Sequence, residues 1–389
     1  MPARTTERAH ALLSASGAHR WLACPPSARL EDVHEDTSSE AAREGTFAHA
    51  LAEVALRRAL GDESATRPEG WESSPYYAPE MEEHVERYVD AVMEIVASHR
   101  AASPDALVLV ESRLDFSEWV PAGFGTGDAV IASDAGIDVV DLKYGRGVRV
   151  EAANNAQLRL YALGALRAYG ALYDARRVRT TIVQPRLDHI DSEELDVDDL
   201  LRWAEEYVAP RAKLAYAGEG EFAAGEHCRF CRAAATCRAR AEANLEISRY
   251  DFAPPAELSL EEIADVLSRV DELVRWAGDV KDYAIAQVRD HGAVIPGWKL
   301  VEGRSVRRYV DEEKAAAALI AAGLDAESVY QRKLRTITDL EKTVGKKRVA
   351  EVLGDLIVKP PGAPTLAPES DKRPAISTVE AAARDFEKP

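Results

Sequence analysis

Long apolar runs are missing from this chain. No stretch of about 18 consecutive hydrophobic residues occurs, so no membrane-spanning helix is predicted and no membrane partner is expected. The segment Met1 to His10 holds no apolar core of the kind a secretion signal needs, and the cytoplasm is the expected location. Positive charge is in deficit: 49 Lys and Arg face 67 Asp and Glu, a net charge of −18. That balance argues against nucleic acid binding over the surface as a whole, because phosphate attraction is driven by Lys and Arg, but a local basic channel would suffice for an enzyme. Much of the acid is clustered. Asp191, Glu193, Glu194, Asp196, Asp198 and Asp199 form one run, and Glu31, Asp32, Glu35, Asp36 and Glu40 another; both are predicted to be solvated faces or loops.

Cysteine is scarce too, with four residues in all. A cytoplasmic chain keeps its thiols reduced, which excludes a disulfide framework. Yet three of the four fall within ten residues, as Cys228-x2-Cys231-x5-Cys237, and Cys24 stands alone about two hundred residues earlier. Four thiolates are what a tetrahedral zinc ion or an iron–sulfur cluster requires, and the spacing does not separate the two. Either would clip the N-terminal segment to a distant part of the chain, closing a long loop and coupling metal loading to folding.

What the chain has in quantity is core-forming material: 46% hydrophobic and 30% charged residues over 389 positions, enough for two domains or one large domain with an appendage. The segment Thr126 to Lys143 is its organising element. Asp128 to Ser133 and Ile137 to Lys143 are β-branched runs joined by Asp134-Ala135-Gly136, which predicts a β-hairpin. The strand period of two puts Val139, Asp141 and Lys143 on one face of the second strand, with Val140 and Leu142 on the other. Asp128 on the partner strand can reach the same end. Two carboxylates beside a lysine form an oxygen-rich site for Mg²⁺ or Mn²⁺, with the lysine placed to serve a water or offset charge on a phosphoryl transition state.

Around the hairpin the pattern predicts helices at Glu40 to Leu60 (capped by Ser38 or Ser39), Glu80 to Arg100, Asn154 to Tyr169 and Asp196 to Ala217, with further strands at Leu107 to Phe116 and Val178 to Gln184. That order makes an α/β fold, a mixed central sheet flanked by helices. Residues 1–38 are expected to be mostly irregular, and residues 228–244 to begin and end in loops. Beyond Tyr250 to Pro255, Ser259 caps a long helix to about His291, a basic ribbon-like segment spans Trp298 to Val310, and short helices run to Leu353. Gln331 to Arg348 is locally basic, with seven Lys and Arg against two acids, and could contact a phosphate backbone. Prolines from Pro360 onward predict a disordered tail. The expected layout is an N-terminal segment (1–38), a core (39–250), a mainly helical accessory region (256–355) and a tail (356–389).

Taken together, Glu44-Gly45-Thr46-x-x-His49, Gly127-Asp128, Asp141-Leu142-Lys143 and Gln157-Leu158-Arg159-Leu160-Tyr161 resemble the RecB-type branch of the PD-(D/E)XK nuclease superfamily. The cysteine layout resembles that branch's iron–sulfur subset, which includes CRISPR-associated exonucleases and the AddB nuclease domain. The arrangement is also similar to a phage-encoded family found in recombination and replication modules. The resemblance covers roughly residues 20–245.

It implies a restriction-endonuclease-like core and a metal-dependent deoxyribonuclease, an exonuclease in phage-type recombination or DNA end processing. It further implies that His49, Asp128, Asp141 and the Leu142 carbonyl hold Mg²⁺ or Mn²⁺, that Lys143 serves the attacking water, and that Gln157 and Tyr161 contact DNA or orient Lys143. Glu44 and Glu111 are secondary candidates. Cys24, Cys228, Cys231 and Cys237 would bind a 4Fe–4S cluster of structural role, with zinc as the alternative. For His49, a hydrogen bond to Asp128 without metal contact is the competing role. Implied partners are DNA ends or single strands, with a helicase, a single-strand-binding protein or an annealing protein. The other expectation is a non-catalytic DNA-binding scaffold within a recombination or replication complex; the full set of motif residues favours the enzyme.

Overall fold

A computed structural model describes residues 11–34, 39–301, 310–330, 335–337, 340 and 344–358. The chain divides into two compact units, Met1–Leu300 and Val301–Pro389. The first unit is an α/β fold around one five-stranded sheet, in the order β1 (Leu107–Asp115), β2 (Phe124–Ser133), β3 (Gly136–Leu142), β4 (Arg177–Gln184) and β5 (His189–Asp196). Only β3 and β4 run parallel; every other neighbouring pair is antiparallel. A parallel pair needs a crossover, and α5 (Ala156–Tyr173) supplies it.

The period of two sorts the sheet's apolar side chains to two sides. Val130, Ala132, Ile137 and Val139 join a core with Leu158 and Leu163 of α5. That core also takes Trp21 of α1 (Ala18–Ala23) and Ala28 of α2 (Ser27–Asp32). Ala129, Ile131, Val140 and Leu142 join a second core with Leu51 of α3 (Glu40–Ala59) and Tyr88 and Val92 of α4 (Glu80–Ala102). The hairpin sheet is thus covered on both faces, and β3 is buried along its whole length. Local signals act as expected. The Ser39 hydroxyl accepts from the Ala42 amide at the start of α3, and the Asn155 side chain accepts from the Leu158 amide at the start of α5. Gly136 turns the hairpin with φ of 128°, where an added Cβ would lie 2.6 Å from the Arg177 carbonyl oxygen.

Two expectations are corrected. The acidic run at Asp191 is not a solvated loop: residues 189–196 form β5, an edge strand on which Asp191, Glu193 and Leu195 are half-buried and alternate with exposed residues. Charge on an edge strand also discourages pairing with another chain. The N-terminal segment is helical in α1 and α2, and Glu31 of the other acidic run is buried, accepting from Arg20 and from the Arg232 amide. The helix expected from Asp196 to Ala217 is present from Val197 to Ala217, as α6 (Val197–Trp203) and α7 (Ala209–Ala217) with a π-helical turn at Ala204–Val208 between them.

After the cysteine segment come α8 (Arg238–Leu245) and the long α9 (Leu260–His291), which starts with a capping box between Ser259 and Glu262. In the second unit, helices occupy Glu312–Ala321, Ala326–Val329 and Lys346–Leu353. Most of the Trp298–Val310 ribbon, most of the charged residues of the 331–348 basic run, residues 1–10 and the tail from residue 359 lie outside the described residues. Among the described residues no helix is long and apolar enough to cross a membrane.

A buried polar network pins the hairpin turn to α4. His99 Nε2 lies 2.7 Å from Asp138 Oδ2, His99 Nδ1 lies 2.6 Å from Ser133 Oγ, and Arg179 pairs with the other Asp138 oxygen. Ser133 is fully buried and also accepts from the Ala135 amide, so this Ser–His–Asp line is a brace rather than a nucleophile. His99→Ala leaves the buried Asp138 carboxylate with Arg179 alone and is expected to cost about 3–5 kcal/mol. Urea unfolding checks this; a loss below about 1 kcal/mol, the size of an exposed pair, would remove the brace from the account.

Candidate metal and catalytic site

The site forms where β2 and β3 part. Their ladder ends at Ala129↔Val140. One residue further, Asp128 Oδ2 accepts a hydrogen bond from the Leu142 amide at 2.7 Å, while the Lys143 amide continues along β4 by donating to the Val183 carbonyl. On the other side of β2 the ladder skips a position: Val110 pairs with Ala129 and Ser112 with Gly127. The skipped residue, Glu111, has φ of 51°, a left-handed conformation that costs a non-glycine residue of order 1–3 kcal/mol and is concentrated at functional sites. Gly125 and Gly127 are needed for close packing here. An added Cβ would meet the Tyr161 ring at 2.6 Å in the first case and Leu114 at 2.8 Å in the second.

The predicted residues converge in two connected groups. In the first, His49 reaches over from α3 and its Nδ1 lies 3.2 Å from Asp128 Oδ1. His49, Glu111 and Asp128 each offer a ligand atom within 4.8 Å of the other two. Leu142 lines the same small cavity. In the second group, Lys143 Nζ lies 2.9 Å from Asp141 Oδ2 and donates to Gln157 Oε1 at 3.0 Å. The Gln157 amide nitrogen donates to Asp141 Oδ1 at 3.1 Å and to Tyr161 Oη at 3.2 Å. One turn of α5 therefore clamps the Asp141–Lys143 pair, with Tyr161 steadying the clamp. Glu44 stands apart: it pairs with Arg186 at 2.9 Å, and Arg186 stacks on Tyr144.

Tyr88 was legible only as a core position on the α4 stripe. It is 2% exposed, lines the cavity beside His49, Glu111 and Asp128, and its hydroxyl has no hydrogen-bond partner among the described residues. A tyrosine within an aliphatic stripe was the available signal, since a buried hydroxyl seeks a partner. Asp141 Oδ2 is also buried without an aligned hydrogen bond, although Lys143 lies at ion-pair distance.

Burial and like charge strain the group. Burial alone would lower the His49 pKa, but the hydrogen bond it donates to Asp128 and the charges of Asp128 and Asp141 outweigh it and hold the imidazole above its usual value. Burial, then the Asp128 charge, pushes the Glu111 carboxyl up to about 7. Asp141 is also raised, by burial and by Asp128, with Lys143 opposing. Three carboxylates thus crowd one ammonium, and two buried oxygens, of Asp141 and Tyr88, lack aligned partners. A hard divalent cation fits that deficit in charge and in bonding. His49, Glu111 and Asp128 could hold one, with Asp141 beside them.

A second trio, Glu151, His189 and Asp191, also gathers within 4.8 Å. Its members brace the loop before α5 instead: Asp191 accepts from the Ala152 amide, His189 Nε2 faces the Val150 carbonyl at 2.9 Å, and Glu151 pairs with Arg149. The four cysteines are all free thiols. Cys24 follows α1, and its thiol lies beside the His227 side chain, next to Cys228. A tetrahedral zinc would draw its sulfurs to about 3.8 Å of one another. Among the described residues no three of the thiols lie within 4.8 Å of each other.

A cation at this site competes with the Glu111 and His49 protons. As pH rises through about 7 the Glu111 carboxyl ionises. Mn²⁺ affinity is therefore expected to tighten between pH 6 and 8, by up to about tenfold per pH unit for each proton displaced. Glu111→Gln should flatten that slope. Calorimetric titration with Mn²⁺ reads both, and a pH-independent wild type would contradict the assignment.

Among solved structures, the crystal structure of SSO0001 is similar at 16% identity, over 57% of this chain and 96% of that chain, with a TM-score of 0.22. Residues 10–374 match a family described as "Protein of unknown function (DUF2800)". By that match, which takes in most of the sequence, the chain belongs to the DUF2800 family.

Proposed function

We propose that this protein is a divalent-metal-dependent deoxyribonuclease of the PD-(D/E)XK type, an exonuclease serving phage-type recombination or DNA end processing in the cytoplasm. The observation that carries the reading is convergence. His49, Asp128, Asp141, Lys143, Gln157 and Tyr161 come from α3, β2, the end of β3 and α5, yet they form one connected set of contacts.

Bound Mg²⁺ or Mn²⁺ would acidify a water and neutralise charge on the phosphate. His49, Asp128 and Asp141, with the Leu142 carbonyl and Glu111, supply its donors. Lys143 cannot wander, because Asp141 and Gln157 hold its ammonium from two sides. Its charge is thus fixed beside the place where a phosphate would gain negative charge, which is where a preorganised cation lowers a barrier most. Tyr161, through Gln157, limits the motion of that pair. DNA ends or single strands are the proposed substrate, and a helicase, a single-strand-binding protein or an annealing protein the proposed company. A non-catalytic scaffold would not need a lysine clamped beside a buried carboxylate.

For the cysteines we propose a structural 4Fe–4S cluster on Cys24, Cys228, Cys231 and Cys237. Support comes from the seating of Cys24 beside His227, the residue before Cys228.

Lys143→Ala and Asp141→Asn are expected to lower Mn²⁺- or Mg²⁺-dependent degradation of end-labelled DNA at least a hundredfold while the chain stays folded by circular dichroism. Undiminished cleavage by either variant would refute the site. Anaerobically prepared protein should carry about four iron and four sulfide per chain, and Cys231→Ser should lose both along with solubility. Stoichiometric zinc without sulfide would replace the cluster by the alternative ion.

A further inference from the structure

A groove of about 890 Å³ opens beside Lys143 and Gln157. Its size lies near the top of the about 300–1,000 Å³ usual for ligand sites. The far wall is built on the π-turn at Ala204–Val208, a local departure from α-helix that is common at functional sites. Trp203, just before that turn, and Tyr207, within it, both line the groove. Tyr207 is 38% exposed. The rings are steadied by guanidinium groups: Arg159 lies 5.5 Å from the Trp203 centroid and Arg211 lies 3.9 Å from that of Tyr207.

The groove is poor in uncommitted positive charge. Arg159 is held by Glu193 at 2.9 Å, and Arg202 by Asp199 at 2.8 Å. Glu206 adds a further acid to the lining. Phosphate attraction therefore cannot carry recognition there, and what the wall offers is flat aromatic surface. Only unpaired bases can lay their faces on protein rings, because duplex bases are already stacked on each other.

We propose that this groove seats the unpaired bases of a single DNA strand, stacked on Trp203 and Tyr207, as the strand runs to or from the phosphate at Lys143. The proposal rests on the nuclease reading for its substrate, and it sets single-strand preference by aromatic stacking on the α6–α7 wall.

The test is equilibrium anisotropy with the full chain in EDTA, where no cleavage can occur. The probes are a labelled oligothymidylate and a blunt duplex of the same length. Wild-type protein should bind the single strand about tenfold or more tightly than the duplex. Tyr207→Ala and Trp203→Ala should each weaken single-strand binding about tenfold and leave duplex binding unchanged, and Trp203→Phe should restore most of the loss. Tyr207 lies outside the buried core, so its variant keeps the test valid even if Trp203→Ala unfolds. Equal affinity for the two probes, no binding of either, or unchanged single-strand binding by Tyr207→Ala would overturn the proposal. Cleavage assays with added Mn²⁺ judge the nuclease reading separately: an inactive protein that still prefers single strands through Tyr207 loses only that reading, and an active one indifferent to Tyr207→Ala loses only the groove.

Discussion

The Asp128 carboxylate does two jobs at once, and the site depends on both. One oxygen takes the Leu142 amide, which antiparallel continuation of the sheet would otherwise have given to β2. A buried amide must find an acceptor, and a charged acceptor makes a stronger bond than a carbonyl does. The substitution lets β2 and β3 separate one residue early without leaving an orphaned donor. The other oxygen is thereby turned toward His49. Without that exchange the hairpin would close as an ordinary ladder, with no gap at its end.

Opening the sheet has a cost that the surrounding fold must absorb. Glu111 sits in a strained backbone conformation, its carboxyl is pushed up to about 7, and Tyr88 keeps a buried hydroxyl without a partner. Each of these opposes folding, and a cation at the same place would offset the crowding of the carboxylates. The opposite end of the hairpin is arranged the other way. There His99, Ser133, Asp138 and Arg179 satisfy one another in the interior. Two apolar layers, with α5 on one face and α3 and α4 on the other, hold the strands between these ends. Stability is concentrated at the turn, and strain at the mouth.

The parts legible in the sequence are those written in local pattern. The β-branched runs and Gly136 announced the hairpin. The alternation Val139, Val140, Asp141, Leu142, Lys143 fixed which side chains share a face, and Val139 and Val140 do enter different cores. Ser39 marked the start of α3. What stayed hidden depends on partners far away along the chain. β5 looked solvated because its residues are charged, but Asp191 and Glu193 are charged in order to hold the loop and the first turns of α5, through the Ala152 amide, the Asn154 amide and Arg159. The φ of Glu111 has no sequence signature, since nothing in Val110-Glu111-Ser112 demands it; the skipped ladder position does. Tyr88 and Trp203 were indistinguishable from ordinary helix residues until the cavities they line were visible.

The N-terminal helices and the cysteine segment are joined by side-chain contacts that need no metal. Glu31 of α2 accepts from Arg20 within the N-terminal segment and from the Arg232 amide between Cys231 and Cys237. Three residues past Cys237, the buried Arg240 donates to Glu272 and Asp279 of α9 and to the Ala234 carbonyl. A guanidinium 1% exposed is tolerable only with such full pairing, and removing one partner would leave a desolvated charge. These contacts bring Cys24 and the later thiols into one neighbourhood by bonds that involve no sulfur. A metal or cluster there would tighten a closure that side chains already make, so the early segment that walls the groove at His19 is held in place from two sides.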